Sequence, residues 1–95
     1  MASFKLSDNA REDLTRLYFY GLERFGERQA DAYYNKLFDH FELISEHPLS
    51  YPSAETLRSG YRKCVCESDS IYYRILGEQV EIMAIIGQQD LDSWL

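Results

Sequence analysis

Three arginines and a tyrosine lie close together in the second half of the sequence, in a stretch that is locally basic. Arg58 comes just before one predicted strand, Arg62 lies at its start, and Tyr73 and Arg74 lie in the next strand. Guanidinium groups donate hydrogen bonds to carboxylates and phosphates, so such a surface could bind an acidic partner. Together with Trp94, these four residues are our candidates for binding a target.

A structural role is equally open for the same residues. Side chains alternate between the two faces of a strand, which places Tyr73 with Ile71 and Ile75 in an apolar set that is typical of a core. On that interpretation Tyr73 is buried, and the arginines form ordinary salt bridges on the sheet. The sequence is compatible with both roles.

The sequence lacks the usual catalytic and metal-binding patterns. Cys64 and Cys66 flank Val65, so in a strand both thiols point to one face, where we expect them to be reduced and packed. His40 and His47 lie in another segment and do not complete a metal site with the thiols. No Gly-rich phosphate loop and no Gly-x-Ser-x-Gly elbow is present. We therefore predict no cofactor, no metal and no catalytic residue.

The distribution of charge argues against direct binding of nucleic acid. The formal net charge is −6, whereas binding driven by phosphates needs clustered Lys and Arg. From Ile75 to Leu95 there is no Lys, Arg or His. The acidic residues of that segment are Glu78, Glu81, Asp90 and Asp92.

Signals for export or membrane insertion are also missing. Residues 1–6 carry neither the basic start nor the apolar run of a secretory signal. No apolar stretch approaches the roughly 20 residues of a membrane-spanning helix. We expect a cytoplasmic protein that does not contact a membrane.

Two amphipathic helices are predicted in the first half. Phe4 to Leu6 alternate as a short strand does, and Ser7 is a good helix N-cap. Apolar residues then recur at steps of three and four from Asp8 to Phe25, and again from Glu27 to Glu46. Because only Gly26 separates the two helices, they must fold back as an antiparallel hairpin.

Three short strands are predicted after a loop at residues 47–55. They are rich in Tyr, Ile and Val, and they span Tyr61–Glu67, Ile71–Leu76 and Val80–Ile86. Turns are predicted at Ser68–Ser70 and at Gly77–Glu78, which makes neighbouring strands antiparallel. We expect one α+β domain over residues 1–95, with the N-terminal strand and the helix hairpin packed on an antiparallel sheet. Residues Asp90–Leu95 are expected to form a short helical turn.

Aromatic residues are frequent enough to indicate a binding surface. Eight tyrosines and five phenylalanines are more than the core of a 95-residue chain readily hides, and exposed tyrosine is enriched at interfaces. A partner segment could lie across the hairpin as a helix or extend the sheet edge as a strand. The candidate interface residues are Leu17, Tyr18, Tyr20, Tyr33, Tyr34 and Tyr72.

Short motifs follow one another in a fixed order along nearly the whole chain. They are Leu6-Ser7, Ala10-Arg11-Glu12-Asp13-Leu14, Arg24-Phe25-Gly26-Glu27, Gln29-Ala30-Asp31, Tyr34, Leu57-Arg58, Gly60, Arg62, Ile71-Tyr72-Tyr73-Arg74, Val80-Glu81-Ile82 and Gln89-Asp90-Leu91. No single motif is specific, but their joint order resembles the RelE/ParE toxin superfamily and, within it, the ParE branch.

This resemblance implies a RelE/ParE-like fold and a toxin of a type II toxin-antitoxin system. The implied partner is a ParD-like antitoxin encoded beside the toxin, and the two form a hetero-oligomer. The implied target is DNA gyrase, inhibited by protein binding and not by an enzymatic reaction. The six interface residues are then candidates for binding the antitoxin, and Arg58, Arg62, Tyr73, Arg74 and Trp94 for binding gyrase.

Two alternatives remain open. A ribosome-dependent messenger RNA endonuclease of the RelE branch would use Arg58, Arg62, Tyr73 and Arg74, but cleavage needs cationic groups, and none follows Arg74. ParE-like chains usually carry basic residues in and after the last strand, whereas residues 83–89 here are uncharged. A weak or inactive toxin that serves as a scaffold for its antitoxin is therefore the other alternative.

Overall fold

The computed structural model describes residues 3–87, which form two helices and four strands. The elements in chain order are β1 (Phe4–Leu6), α1 (Asp8–Phe25), α2 (Glu27–Glu46), β2 (Arg62–Cys66), β3 (Asp69–Leu76) and β4 (Gln79–Gly87). Both helices and β1 have the predicted bounds, and the ends of the other three strands lie within two residues of the predicted ones. The predicted turn at Asp90–Leu95 lies outside the described residues. No helix in the described part is long and apolar enough to span a membrane.

Local signals fix the ends of the helix hairpin. The Ser7 side chain accepts a hydrogen bond from the backbone N–H of Ala10 at 3.0 Å, which caps α1. Gly26 ends α1 with φ 89° and ψ 171°, a conformation open almost only to glycine, and α2 starts at the next residue. Within the hairpin, a Cβ at Gly21 would lie 3.4 Å from the Cβ of Ala30, so small residues allow the helices to approach closely.

The sheet is mixed, so the prediction of an antiparallel sheet was wrong for one of its three strand pairs. The strand order is β1-β4-β3-β2. β2 with β3 and β3 with β4 are antiparallel, but β1 pairs with β4 in parallel, with Phe4 opposite Val80 and Leu6 opposite Ile82. Parallel pairing needs a long crossover, and here the helix hairpin and two strands provide it. Only neighbours joined by a short turn reveal their direction in the sequence.

The turn between β2 and β3 also differs from the predicted Ser68–Ser70. The two strands are joined at residues 67–68, and both Asp69 and Ser70 belong to β3. Glu67 makes this tight turn possible by adopting a positive φ of 55°. Glutamate is not a residue that signals such a conformation, so the sequence pattern placed the turn too late.

The core lies between the helix hairpin and one face of the sheet. Its fully buried side chains include Tyr73, Phe41, Leu37, Ile44, Ile71, Ile82, Ile85 and Cys66. On the other face, the segment 54–61 covers part of the sheet and forms a smaller cluster of Ala54, Leu57, Tyr72, Ala84 and Ile86. We call this second face the outer sheet face.

The start of α1 is fixed to β4 beyond the short pairing with β1. A bulge leaves Met83 without a partner in β3, because Tyr72 pairs with Ala84 and Tyr73 with Ile82. The Met83 carbonyl accepts a hydrogen bond from the Ser7 hydroxyl at 3.0 Å. The Asp13 carboxylate accepts another from the Ile85 N–H at 2.9 Å. These side chains occupy an edge that would otherwise expose unpaired backbone groups.

Candidate partner-binding groove

An open groove of about 850 Å³ lies along the helix hairpin. Its walls are the second half of α1 and the first half of α2, and its end is formed by residues 67–69 and by Gly87. The hairpin tip projects beyond the sheet, since every residue from 23 to 29 is exposed. A groove of this size is large enough for several side chains of a peptide segment.

Five of the six predicted interface residues line this groove. They are Leu17, Tyr18, Tyr20, Tyr33 and Tyr34. They converge because α1 contributes three of them and α2 contributes two, at positions that face each other across the hairpin. The sixth, Tyr72, lies in the cluster on the outer sheet face and is only 3% exposed. The segment 54–61 covers it, so Tyr72 offers no accessible surface in the isolated chain.

Aromatic contacts hold the groove walls in place. The rings of Tyr18 and Tyr34 meet edge to face with centroids 5.6 Å apart, and Tyr34 also contacts Phe38 at 5.0 Å. The Tyr18 hydroxyl donates a hydrogen bond to the Asp31 carboxylate, which raises the pKa of Tyr18. On the rim, the Arg24 guanidinium lies 5.1 Å from the centre of the Tyr20 ring. The walls are therefore preorganised, which lowers the entropic cost of binding.

A buried carboxylate closes the sheet end of the groove. The Tyr33 hydroxyl oxygen lies 2.6 Å from Asp69 Oδ2 and 3.1 Å from the Cys66 carbonyl, so its single hydrogen is shared between two acceptors. The pKa of Tyr33 is raised far above its ordinary value, mainly by burial and to a smaller extent by the Asp69 carboxylate. Lys36 forms an exposed ion pair with Glu67 at 2.8 Å beside this pair. The floor is thus apolar with one polar end.

The predicted target-binding residues do not form a single cluster. Arg74 donates two hydrogen bonds to the Glu81 carboxylate, at 2.9 and 2.7 Å. Arg62 instead donates to the Tyr51 carbonyl at 2.7 Å, on the core side of the sheet. Tyr73 is fully buried and donates to the Pro48 carbonyl at 2.6 Å, and its burial raises its pKa to about 12. Trp94 lies outside the described residues.

Arg58 takes a separate position. It is exposed in the segment that covers the outer sheet face, and its guanidinium donates to the Leu57 carbonyl at 2.8 Å. Lys63 stands opposite Tyr72 in the β2–β3 register, so Lys63 also belongs to the outer sheet face, as Arg74 does. Among the basic residues of the segment 58–74, Arg58, Lys63 and Arg74 therefore lie on or beside the face opposite the helices.

The two cysteines are free and buried, as the alternation around Val65 predicts. Burial raises the pKa of Cys64 to about 11, which keeps that thiol protonated and unreactive near neutral pH. Within residues 3–87, no group of three potential metal-binding His, Cys, Asp or Glu side chains comes together.

The sequence of this chain is similar to those of known toxins. The chain matches the family described as "ParE toxin of type II toxin-antitoxin system, parDE" over residues 4–91. The chain belongs to the ParE toxin family. Toxin ParE1 of Caulobacter vibrioides is 38% identical to it over 88 residues, which cover 93% of this chain and 91% of that protein. Toxin ParE1 of Mycobacterium tuberculosis is 26% identical over 91 residues, covering 94% of this chain and 93% of that protein.

A solved structure supports the ParE-like fold independently. The structure titled "Chromosomal ParDE TA system from P. aeruginosa" superposes on this ParE-family chain with a TM-score of 0.80. The match covers 92% of this chain and 96% of that chain at 19% identity, a level that reports on the fold alone. The two-helix, four-strand α+β arrangement is therefore shared.

Phe25 and Asp69 also line the groove, although neither belongs to the predicted interface set. Phe25 was assigned to the apolar stripe of α1, yet it is 63% exposed and lines the groove, because the hairpin tip has no sheet beneath it. Asp69 was placed in a turn, although it is buried in β3 beside Tyr33. The position of Phe25 next to Gly26 was an available signal, since a helix end is less often covered than its middle. No local pattern marked Asp69.

Proposed function

We propose that the groove along the helix hairpin binds a segment of a ParD-like antitoxin, and that the free toxin inhibits DNA gyrase by binding it. One observation carries the first part. Five residues selected from the sequence as a partner surface lie together in one preorganised groove. Membership of the ParE family implies an antitoxin partner, and the groove offers that partner an apolar site.

The chemistry of the groove specifies the kind of segment that fits it. Tyr20 and Phe25 are 51% and 63% exposed, and Tyr34 is 37% exposed, so large aromatic surfaces are available to contact an apolar partner. An amphipathic helix that lays one apolar face along the hairpin would cover these rings. Burying such anchors supplies most of the affinity of a typical interface.

Titration of the toxin with a purified antitoxin tests the groove. The probe is the product of the reading frame adjacent to the toxin gene, measured by calorimetry. Tyr20→Asp should weaken binding by about tenfold or more, since truncating an aromatic hot spot commonly costs about 2 kcal/mol. Leu49→Asp is the matched control, because Leu49 is 71% exposed and does not line the groove. Equal affinities for the two variants would place the antitoxin elsewhere.

The proposal of gyrase inhibition rests on family membership and on the accessible cations. Arg58, Lys63 and Arg74 lie on or beside the outer sheet face, away from the groove. An acidic surface of the target could bind there without using the antitoxin groove. A supercoiling assay with purified gyrase is the test. Inhibition by the toxin that Arg74→Ala weakens and Arg11→Ala does not would support the proposal, whereas full supercoiling with excess toxin would refute it.

We also propose that the protein is not an enzyme. Among the described residues, Arg62 and Arg74 are held by separate acceptors, and Tyr73 is buried, so the set that a nuclease would need does not converge. Primer extension on translated messages checks this. Specific cleavage that Arg74→Ala abolishes would establish the ribonuclease alternative. Normal growth after induced expression would instead favour an inactive scaffold.

A further inference from the structure

Asp69 is a buried carboxylate in the lining of the groove. It is 8% exposed, whereas the other acid of the lining, Glu67, is exposed. The Tyr33 hydroxyl donates a hydrogen bond to Asp69 Oδ2 at 2.6 Å. A carboxylate that has lost most of its hydration needs an opposite charge or further hydrogen bonds to offset that loss. One neutral hydroxyl offsets only part of it.

The cations that line the groove are paired with other acids. Arg16 lies 3.1 Å from the Asp13 carboxylate, and Lys36 lies 2.8 Å from that of Glu67. Within residues 3–87, Asp69 takes part in no ion pair. The rest of the sequence, residues 1–2 and 88–95, contains no Lys, Arg or His. The charge of Asp69 is therefore not paired with any cationic side chain of its own chain.

The second oxygen of Asp69 is the one that a ligand can reach. Oδ1 accepts no hydrogen bond from residues 3–87, and no buried side-chain oxygen in that range lacks a partner. Oδ1 therefore belongs to the small exposed part of this groove-lining residue. Because Tyr33 holds Oδ2, the carboxylate is already fixed in position, which lowers the entropic cost of a contact with it.

We propose that Asp69 receives a Lys or Arg side chain of the antitoxin segment that occupies the groove. The inference rests on the proposed antitoxin site and adds one charged contact to it. Ammonium and guanidinium groups donate charge-assisted hydrogen bonds, which are shorter and stronger than neutral ones. The ligand is then an amphipathic helix whose apolar face carries one cation at the sheet end of the groove. Such a charge pair selects the correct partner and fixes its register.

The position of Asp69 determines where that cation lies along the ligand helix. The exposed ring of Phe25 marks the hairpin tip, and α2 begins at Glu27. Tyr33, which holds Asp69, follows Glu27 by six residues of α2, a rise of about 9 Å. A ligand helix that runs along α2 covers this distance in about six or seven residues. We expect its basic residue about two turns from the apolar residue that contacts Phe25.

Asp69→Asn tests the charge, because the amide oxygen can still accept the Tyr33 hydrogen bond while the negative charge is lost. The probe is the product of the adjacent reading frame, titrated by calorimetry. We expect binding to weaken about tenfold or more, as for the loss of a hydrogen bond to a charged group. Asp31→Asn is the matched control and should leave the affinity unchanged. The Asp31 carboxylate also accepts from a tyrosine hydroxyl, that of Tyr18, but it is exposed and does not line the groove.

A double-mutant cycle separates a direct contact from a change in the shape of the groove. Each Lys and Arg of the antitoxin is replaced in turn by Met, which keeps an apolar stem of similar length. We expect one replacement to weaken binding to the unmodified toxin about tenfold and to have no effect on binding to the Asp69→Asn variant. The first half of the cycle needs no altered toxin, so it decides the matter if Asp69→Asn fails to fold in a urea-unfolding control.

Three results would overturn the inference. They are an unchanged affinity of Asp69→Asn, no loss from any replacement of Lys or Arg in the antitoxin, and losses that are additive with Asp69→Asn for every one of them. Failure of the proposed antitoxin site has a different signature, in which Tyr20→Asp and Asp69→Asn both leave the affinity unchanged. A loss with Tyr20→Asp alone would retain the groove as the antitoxin site and exclude the cation at Asp69.

Discussion

Replacing Tyr33 with phenylalanine removes one hydroxyl from the sheet end of the groove and leaves the ring in place. That hydroxyl lies 2.6 Å from Asp69 Oδ2 and 3.1 Å from the Cys66 carbonyl. Asp69 is only 8% exposed, so water cannot readily replace the lost donor. The Tyr33→Phe variant therefore leaves a buried carboxylate without its side-chain hydrogen-bond partner.

The expected loss follows from the charge of the acceptor. Hydrogen bonds to charged groups contribute about 1.5–3 kcal/mol, and an acceptor left buried loses its hydration as well. We expect Tyr33→Phe to lower the free energy of unfolding by about 2 kcal/mol. For a domain of this size, each kcal/mol corresponds to roughly 4–8 °C, so the melting temperature should fall by roughly 8–16 °C.

Tyr18→Phe is the matched control, because it removes the same hydroxyl from the same kind of partner. The Tyr18 hydroxyl donates to Asp31, which is exposed and can be hydrated instead. This change should cost less than about 0.5 kcal/mol. Equilibrium unfolding in urea, with the slope of each curve compared, measures both variants. Equal losses for the two tyrosines would refute the claim that burial of Asp69 determines the effect.

Three further outcomes are expected. Gly26→Ala should lower the free energy of unfolding, measured in a urea melt, by about 1–3 kcal/mol, because φ is 89° and ψ 171° at this position. Gly77→Asn should lower it by less, because φ there is 64°, a conformation that Asn tolerates. The reverse order of the two losses would contradict this. Ser7→Ala should cost about 1 kcal/mol through loss of the α1 cap, and an unchanged melting temperature would count against it. The free energy of unfolding should fall as pH rises above about 9. Burial raises the pKa of Cys64 to about 11 and of Tyr73 to about 12, so between the ordinary and the raised pKa only the unfolded chain releases these protons. Urea melts at several alkaline pH values that show no fall in stability would refute this.

Local chemistry explains why the helix hairpin was predictable. Ser7 caps α1 through its own side chain, and Gly26 ends it through a backbone conformation that only glycine adopts freely. Both signals operate within a few residues of the boundary they set. The direction of β1 was not predictable, because its partner Val80 lies at the other end of the chain and no turn connects them.

The groove was partly predictable for a related reason. An excess of aromatic residues indicates that some must be exposed, and helical spacing assigns Tyr18 and Tyr34 to the two helices. The burial of Tyr72 and of Asp69 depends on segments that are distant in the sequence. Tyr72 is covered by residues 54–61, and Asp69 is buried beside Tyr33 of α2, from which it is 36 positions away in the sequence. Burial by a non-local segment leaves no mark in the local pattern.

The parallel pairing of β1 with β4 also sets the order in which a newly synthesised chain can fold. Ser7 and Met83, which are hydrogen-bonded in the folded protein, are 76 positions apart. Closing a loop of that length costs about 4 kcal/mol in chain entropy, whereas the helix hairpin needs only local contacts. On the ribosome the hairpin can therefore form early, but the sheet end of the groove, with Asp69 and Gly87, is absent until the last strand has emerged. At roughly 5–20 residues per second, that interval lasts seconds. If the groove binds the antitoxin as proposed, that docking site is complete only after residues 67–69 and Gly87 have emerged.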